Sequence, residues 1–346
     1  MGAAKGLSVG ETRAATITDV AALAGVSIST VSKAVNGTGK LRAETRAKVL
    51  AAADQLSFRP SPLARGLLTG RSYMVGLITA ESFGRFTIPV MLGAEDALVP
   101  GQMSVVLCDG RGDPIREGHY VRALLSRKVD GIIVTGKRTD PRPPVATDLP
   151  VPVVYVMTQS ENPSDLSLIP DDKQGGELAV RHLVATGRTK IAHVTGPERF
   201  LSARLRAAGA KHVLAAAGLP LAAGDALHGE WSEAWGRHAA HLALRSDPGI
   251  DAIFCGSDQL ARGVADALRE LGRRIPEDVA LVGYDNWEVF AVTGRPPLTT
   301  IDMCLNELGQ HAARRLLASI DGQAFRGVEQ LPCRLVIRES SGASHP

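Results

Sequence analysis

The chain has 346 residues, an ordinary globular composition with few aromatics, and a formal net charge of only +3. That length allows two or three domains, each able to bury its own core. No apolar run approaches the ~20 residues of a membrane span, which excludes an integral membrane protein of the helical kind. The charge is unevenly spread: residues 1–72 hold ten Lys/Arg against four Asp/Glu, and the remainder is mildly acidic. A basic head on an acidic body points to a polyanionic partner for the head.

The first fifteen residues, MGAAKGLSVGETRAA, read as a disordered tail without the apolar core of a secretory signal. From Thr16 to Asn36 the pattern is two short helices and a sharp turn. Thr16 can cap the first helix, and Asp19, three positions on, completes a box-like start. Ile17, Val20, Ala21 and Ala24 recur at helical spacing. Gly25 supplies a cheap left-handed residue, so the first helix stops there. Ser27 can cap a second helix that buries Val31 and Val35 and leaves Ile28, Ser29, Ser32, Lys33 and Asn36 outward. A helix carrying small hydroxyls, an amide and a cation suits base edges and phosphates. A third helix, roughly Glu44 to Leu56, offers Val49, Leu50, Ala53 and Leu56 to close a three-helix core. The next segment, SPLARGLL (Ser61 to Leu68), has Ser61 as N-cap and Pro62 at the first helical position. It is only two turns long and contains Gly66, so it folds only when something holds it.

After the linker Thr69–Ser72 the period changes. Short apolar runs, namely MVGLIT, SVVLCD, GIIVTG, VPVVYV, KIAHVTG, DAIFCGSD and DVALVGYD, alternate with helical stretches. Such Val/Ile-rich runs are strands of parallel sheets covered on both faces. There are too many for one small sheet, and the chain pauses at Leu168–Asp172. Two α/β lobes with a cleft between them are expected, with ligands beyond the carboxyl ends of the strands.

The segment TITDVAALAGVSISTVSKAVNG, then ETRAKVLAAADQLSFRPSPLARGL, resembles the head of the lactose/galactose-repressor family of transcription regulators. The stretch CGSDQLARGVADALRELGRRIPEDVALVGYDN, followed by PPLTTID, resembles that family's C-terminal lobe and crossover. The likeness runs from about Thr16 to about Glu339. It implies an all-α helix-turn-helix head (16–60), a hinge helix and linker (61–72), and a two-lobed α/β body like the periplasmic sugar-binding proteins (73–340). It places the N-lobe at 73–170 and 300–328, the C-lobe at 171–299 and 329–340, and a tail at 341–346.

Carried over by position, Ile28, Ser29 and Lys33 would read base edges, while Thr30, Ser32 and Asn36 would hold phosphates. Leu67, with Ala64 beside it on the hinge, would enter the minor groove and kink the duplex. Arg42 stands where the family usually has a small capping hydroxyl. In the body, Arg206 and Asp285 match the cleft arginine and acid that grip the effector, and Trp231 matches an aromatic that stacks on its ring. Phe86, Ser202 and Asp258 are further candidates. An aromatic face with a fixed arginine and a fixed acid suits a polar ring, a sugar before a purine.

Other chemistry finds no support. No phosphate-binding glycine loop opens a helix after a strand. His238 and His241 share a helix face without a third metal ligand. Cys108, Cys255, Cys304 and Cys333 lack C-x-x-C spacing, which argues for a reducing cytoplasm and against zinc or disulfides. No G-x-S-x-G or Cys–His arrangement is present, so neither a catalytic residue nor a cofactor is assigned. The expectation is a cytoplasmic, ligand-responsive repressor. It binds a near-palindromic duplex operator and a small effector, with no membrane partner. The end, ESSGASHP, carries no Leu heptads, which favours a homodimer over a tetramer. The competing readings are a solute-binding protein without DNA function and an α/β enzyme using the same cleft.

Overall fold

The structure is a computed structural model that describes residues 15–35, 39–58, 70–82 and 84–342. Two compact units divide after Ser72, and each is described by itself.

The first unit is a three-helix cluster. Helix α1 (Ile17–Ala24) starts at a complete capping box: the Asp19 amide donates to Thr16 Oγ1 at 3.4 Å, and the Thr16 amide donates to Asp19 Oδ2 at 2.8 Å. Gly25 ends it with φ of 60°. Helix α2 (Ile28–Val35) is capped by Ser27, whose Oγ accepts the Thr30 amide at 3.2 Å. Helix α3 (Ala43–Gln55) begins at Arg42 with no side-chain cap. Val20, Ala24, Val31, Ala34, Val49, Ala52 and Ala53 are buried together. Two expected core positions differ. Val35 is only half-buried and Ala34 takes the centre. Leu50 is 46% exposed, because the stripe that faces α1 and α2 runs Val49, Ala52, Ala53, Leu56, and Leu50 falls one position off it.

The second unit opens with β1 (Met74–Thr79), α4 (Thr87–Leu98), β2 (Ser104–Asp109), α5 (Pro114–Ser126) and β3 (Gly131–Thr135). There follow β4 (Pro141–Arg142), β5 (Val153–Val156), β6 (Gln159–Ser160), β7 (Leu166–Pro170) and α6 (Asp172–Ala185). Next come β8 (Ile191–Thr195), α7 (Leu201–Ala216), β9 (Leu227–His228), α8 (Glu233–Ser246), β10 (Ala252–Cys255) and α9 (Asp258–Glu270). The unit closes with β11 (Ala280–Tyr284), α10 (Glu288–Ala291), β12 (Thr299–Asp302), α11 (Leu305–Ile320), β13 (Gly327–Leu331) and β14 (Arg334–Val336).

All seven predicted apolar runs are strands. They form two six-stranded sheets, in the orders β13-β7-β5-β3-β1-β2 and β14-β12-β11-β10-β8-β9. Every pair is parallel except β12 with β14. β4 and β6 make a small sheet of their own. The central strands of both sheets, such as β3, β8, β10 and β11, are fully buried and read as continuous apolar runs because helices cover both faces.

The chain crosses between the lobes three times: after β7, at Met303–Cys304, and at Pro332–Cys333. The later boundaries therefore differ from expectation. β12 joins β11 in the C-lobe, so the N-lobe segment starts at residue 303 or 304 and not at 300. β13 pairs with β7 through Leu331, so the N-lobe does not end at 328. β13 (GVEQL) is an edge strand with alternate exposed residues and carries no apolar run to announce it. The pause at Leu168–Asp172 is itself buried strand β7, followed at once by α6, with Asp171 Oδ1 accepting the Gln174 amide at 2.9 Å.

Three helix pairs pack on reciprocal glycines: Gly93 and Gly309 between α4 and α11, Gly176 and Gly209 between α6 and α7, Gly236 and Gly263 between α8 and α9. A Cβ on any of the six would collide with a backbone carbonyl of the partner helix, so only glycine permits this approach. No described helix is long and apolar enough to cross a membrane.

Candidate ligand cleft and nucleic-acid interface

Both sheets aim the carboxyl ends of their parallel strands at one cavity of about 550 Å³. In open α/β sheets this is where ligands bind, because loops there are free to carry chemistry. The turn after β1 brings Glu81, Arg85 and Phe86, and the turn after β3 brings Lys137, Arg138 and Thr139. From the C-lobe come Arg199, Phe200, Ser202 and Arg206 at the start of α7, Trp231 after β9, and Asp285 and Trp287 after β11.

Arg206 is the fixed cation. Its Nε donates to Asp172 Oδ1 at 2.8 Å, Nη2 lies 2.7 Å from the same oxygen, and Nη1 donates to the Gly256 carbonyl at 2.5 Å. Its guanidinium sits 3.6 Å over the Tyr284 ring. Burial disfavours the charge, but Asp172, Tyr284 and Asp285 outweigh it and hold the group protonated above its usual range. Asp172 is itself fully buried. It also accepts from the Tyr284 hydroxyl at 3.1 Å and from Thr139 of the N-lobe at 3.3 Å. The direction of Arg206 is thus set from behind before any ligand arrives.

Asp285 stands at the end of β11 with φ of 108°, a backbone state that non-glycine residues rarely hold. Its Oδ1 is 3.8 Å from Arg206 Nη1, and its Oδ2 accepts from Arg85 of the opposite lobe. Burial raises its pKa against the pull of Arg85 and Arg206. The Arg85 guanidinium lies 4.3 Å from the Trp287 ring centre and 4.7 Å from that of Phe86, and its Nε is buried without an acceptor. A third link joins the lobes, where Asp140 Oδ1 accepts the Leu201 amide at 2.9 Å.

The cavity therefore gathers Arg206, Asp285, Trp231, Phe86 and Ser202, and Trp231 lies against Gly196, where any Cβ would strike the indole. Asp258 does not reach it. This residue is fully buried, its carboxylate taking the Thr300 hydroxyl at 2.6 Å and the Trp287 amide at 2.7 Å. As the first residue of α9 it turns back toward the sheet, while Ser257 and Gln259 on either side face the cavity. Burial and the neighbouring Asp285 push its pKa up to about 8. Its role is to place the loop that carries Trp287. Arg85, Asp172, Phe200 and Trp287 were not anticipated. The aromatics had a signal, since Phe200 and Trp287 stand in the short loops that follow the apolar runs of β8 and β11, whereas Arg85 lies in a loop without pattern.

In the head, Ile28 (49% exposed), Ser29 and Lys33 form the outer surface of α2, with Thr30 and Ser32 half-buried at its flank. The Ser27 hydroxyl lies 2.9 Å from those of both Ser29 and Thr30, which orders the start of the helix. The stem of Lys33 packs on Gly39, leaving its ammonium outward. Asn36, Ala64 and Leu67 lie outside the described residues.

A basic helix-turn-helix head and a two-lobed body with its cavity at the strand ends define a ligand-responsive, DNA-binding transcriptional regulator. Residues 16–61 match the bacterial regulatory proteins of the lacI family, and residues 180–341 match the periplasmic binding protein-like domain. The chain is 34% identical over 308 residues to the ribose operon repressor of Escherichia coli strain K12, covering 88% of this chain and 93% of that one. It is 31% identical to the HTH-type transcriptional repressor PurR of Aliivibrio fischeri strain MJ11, covering 94% and 98%. The chain belongs to the lacI family. Among solved structures it resembles the lac repressor dimer bound to operator and the anti-inducer ONPF (31% identity, TM-score 0.73, 96% and 100% covered). It also resembles the transcriptional regulator CelR–cellobiose complex (31%, TM-score 0.67, 94% and 99% covered).

Proposed function

We propose that the chain represses transcription as a homodimer on a near-palindromic operator, and that a sugar in the cleft sets its affinity for that operator. The lac repressor relative, a dimer on operator, and the cellobiose-bound CelR relative support this reading. The observation that carries it is Arg206, buried yet charged and aimed into a cavity that Trp231 walls with an aromatic face. A preset donor beside an indole and an acid matches a ring with hydroxyls on its edge and CH groups on its face. Among the described residues the cavity is lined for binding, by Arg206, Asp285 and Trp231, and we read it as a site that holds its ligand without turnover, in a protein that works in the cytoplasm where its operator is.

Ile28, Ser29 and Lys33 read base edges, Thr30, Ser32 and Asn36 hold phosphates, and Ala64 and Leu67 enter the minor groove. Because Arg85–Asp285 and Asp140–Leu201 tie the lobes together across the cavity, a ligand that meets Asp285 changes the lobe geometry. The segment Ser61–Leu68 passes that change to the head, and the coupling is reciprocal.

The test selects bound duplexes from a random pool with the full chain. Operator affinity is then measured by fluorescence anisotropy with and without ribose, glucose, cellobiose and the purine bases. A palindromic consensus whose affinity moves at least fivefold with a sugar is expected. Duplex binding without sequence preference, or the same affinity with every ligand, rejects the proposal. A response to a purine base alone replaces the sugar by a purine.

A further inference from the structure

The charges inside the cleft are matched, and those at its mouth are not. Arg206 is neutralised by Asp172, and Arg85 by Asp285. Glu81 Oε2 is occupied by the amides of Phe86 and Thr87, at 2.9 and 3.1 Å, and by the Thr87 hydroxyl at 3.2 Å. These neutral donors leave the charge of Glu81 in place, so what remains among the lining residues is Lys137, Arg138 and Arg199 against Glu81 and Glu230, an excess of one cation.

Two of these cations share one aromatic ring. Arg138 reaches from the N-lobe and Arg199 from the C-lobe, and each places its guanidinium carbon 4.7 Å from the centre of the Phe200 ring. They are therefore no more than twice that distance apart. Among the described residues neither has a carboxylate partner. The nearby acid, Asp140, spends Oδ1 on the Leu201 amide, and its Oδ2 is buried without a hydrogen-bond partner and so not turned to either guanidinium. Two exposed guanidiniums of opposite lobes held on one ring repel each other, mildly because water screens them. An anion between them would turn that repulsion into two charge-assisted forks.

We infer that the effector is anionic, a phosphorylated or carboxylated sugar whose charged group bridges Arg138 and Arg199 while its ring lies against Trp231 with its hydroxyls toward Arg206. This rests on the cleft being the effector site, and it narrows the ligand from a polar ring to a polar ring bearing phosphate or carboxylate. The group closes the lobes at their mouth, because its two arginines belong to different lobes.

Matched probes test it by titration calorimetry on the full chain: ribose against ribose 5-phosphate, and glucose against glucose 6-phosphate and glucuronate. At least one charged probe is expected to bind tenfold or more tighter than its neutral counterpart. That preference should fall to under twofold in the Arg138→Gln/Arg199→Gln variant, and in part return in Arg138→Lys/Arg199→Lys. Thermal melting checks that both variants are folded. The inference is overturned by a neutral sugar that binds as tightly as its charged form, by no charged probe binding, or by a preference that survives in the double glutamine variant. Operator binding is measured in parallel. A neutral sugar that shifts operator affinity leaves the regulator intact and removes only the anionic effector, whereas absence of operator binding removes the regulator itself.

Discussion

Arg85 of the N-lobe and Asp285 of the C-lobe are ion-paired across the cleft, although 200 residues separate them in the chain. The acid expected to receive effector hydroxyls is therefore already held by a cation of the facing lobe. A ligand that reaches Asp285 must share it with Arg85 or displace it.

Breaking a largely buried pair leaves one charge without a partner, which costs roughly 3–5 kcal/mol. Arg85→Ala and Asp285→Ala should each destabilise the body by about 3–5 kcal/mol in urea unfolding. The double variant should lose clearly less than the sum of the two. Strictly additive losses would show that the pair contributes no coupling.

Arg206 poses a different problem, because its removal strands Asp172 as a fully buried carboxylate. Arg206→Ala should cost roughly 3–5 kcal/mol and abolish the change of operator affinity with effector. Arg206→Lys keeps the charge but loses the fixed fork, so it should retain stability better than response. A normal effector response in Arg206→Ala would remove the residue from the site.

His193 makes the body acid-sensitive. The ring stacks 4.5 Å from Phe254 and its Nδ1 lies 2.9 Å from the Phe254 carbonyl oxygen. Burial, with smaller contributions from His228, Arg206 and Lys211, lowers its pKa to about 4. The unfolded chain binds that proton near pH 6.5 and the native state does not, so native stability falls as pH drops from about 6.5 toward 4. The loss reaches roughly 3 kcal/mol. In His193→Gln the fall between pH 7 and 4.5 should be visibly shallower in urea unfolding. Parallel curves for the two proteins would assign the acid sensitivity to other groups.

In the head, Lys33→Ala should relax preference at one base pair by about 1–3 kcal/mol of discrimination. Asn36→Ala should weaken all duplexes alike. Selection from a randomised operator library distinguishes the two, and a uniform loss for Lys33→Ala would make it a phosphate contact. Leu67→Ala should weaken operator binding and reduce duplex bending measured by energy transfer between the DNA ends.

What the sequence made legible follows from what leaves a pattern. Thr16, Asp19 and Gly25 are punctuation with fixed offsets, so α1 was readable to the residue. Apolar runs such as GIIVTG announce buried parallel strands, whereas β13, with Val328 and Gln330 set among polar neighbours at a sheet edge, announces nothing. Asp285 sits in a long motif and Arg206 in the short stretch ARLRAAGA, and both could be carried into the cleft by position. Arg85 lies in a turn, and its partner is fixed only by how two lobes face each other. Asp258 was misplaced for a related reason: position at a strand end does not say which way the first residue of the following helix turns.

The glycine at 176 gives the cleft a property its lining residues do not have. Its missing methyl is what lets α6 rest on the backbone of Arg206 itself, so the aim of that guanidinium is set from the far side of the helix by a hydrogen atom. Side chains at the strand ends can be exchanged one at a time, and with them the range of effectors recognised. The distance between these two helices cannot drift in the same way. Divergence of this protein toward new ligands is thus free at the rim and closed at the hub. A variant such as Gly176→Ala would press on the Arg206 backbone and disturb the aim of its side chain while leaving every lining residue in the sequence unchanged.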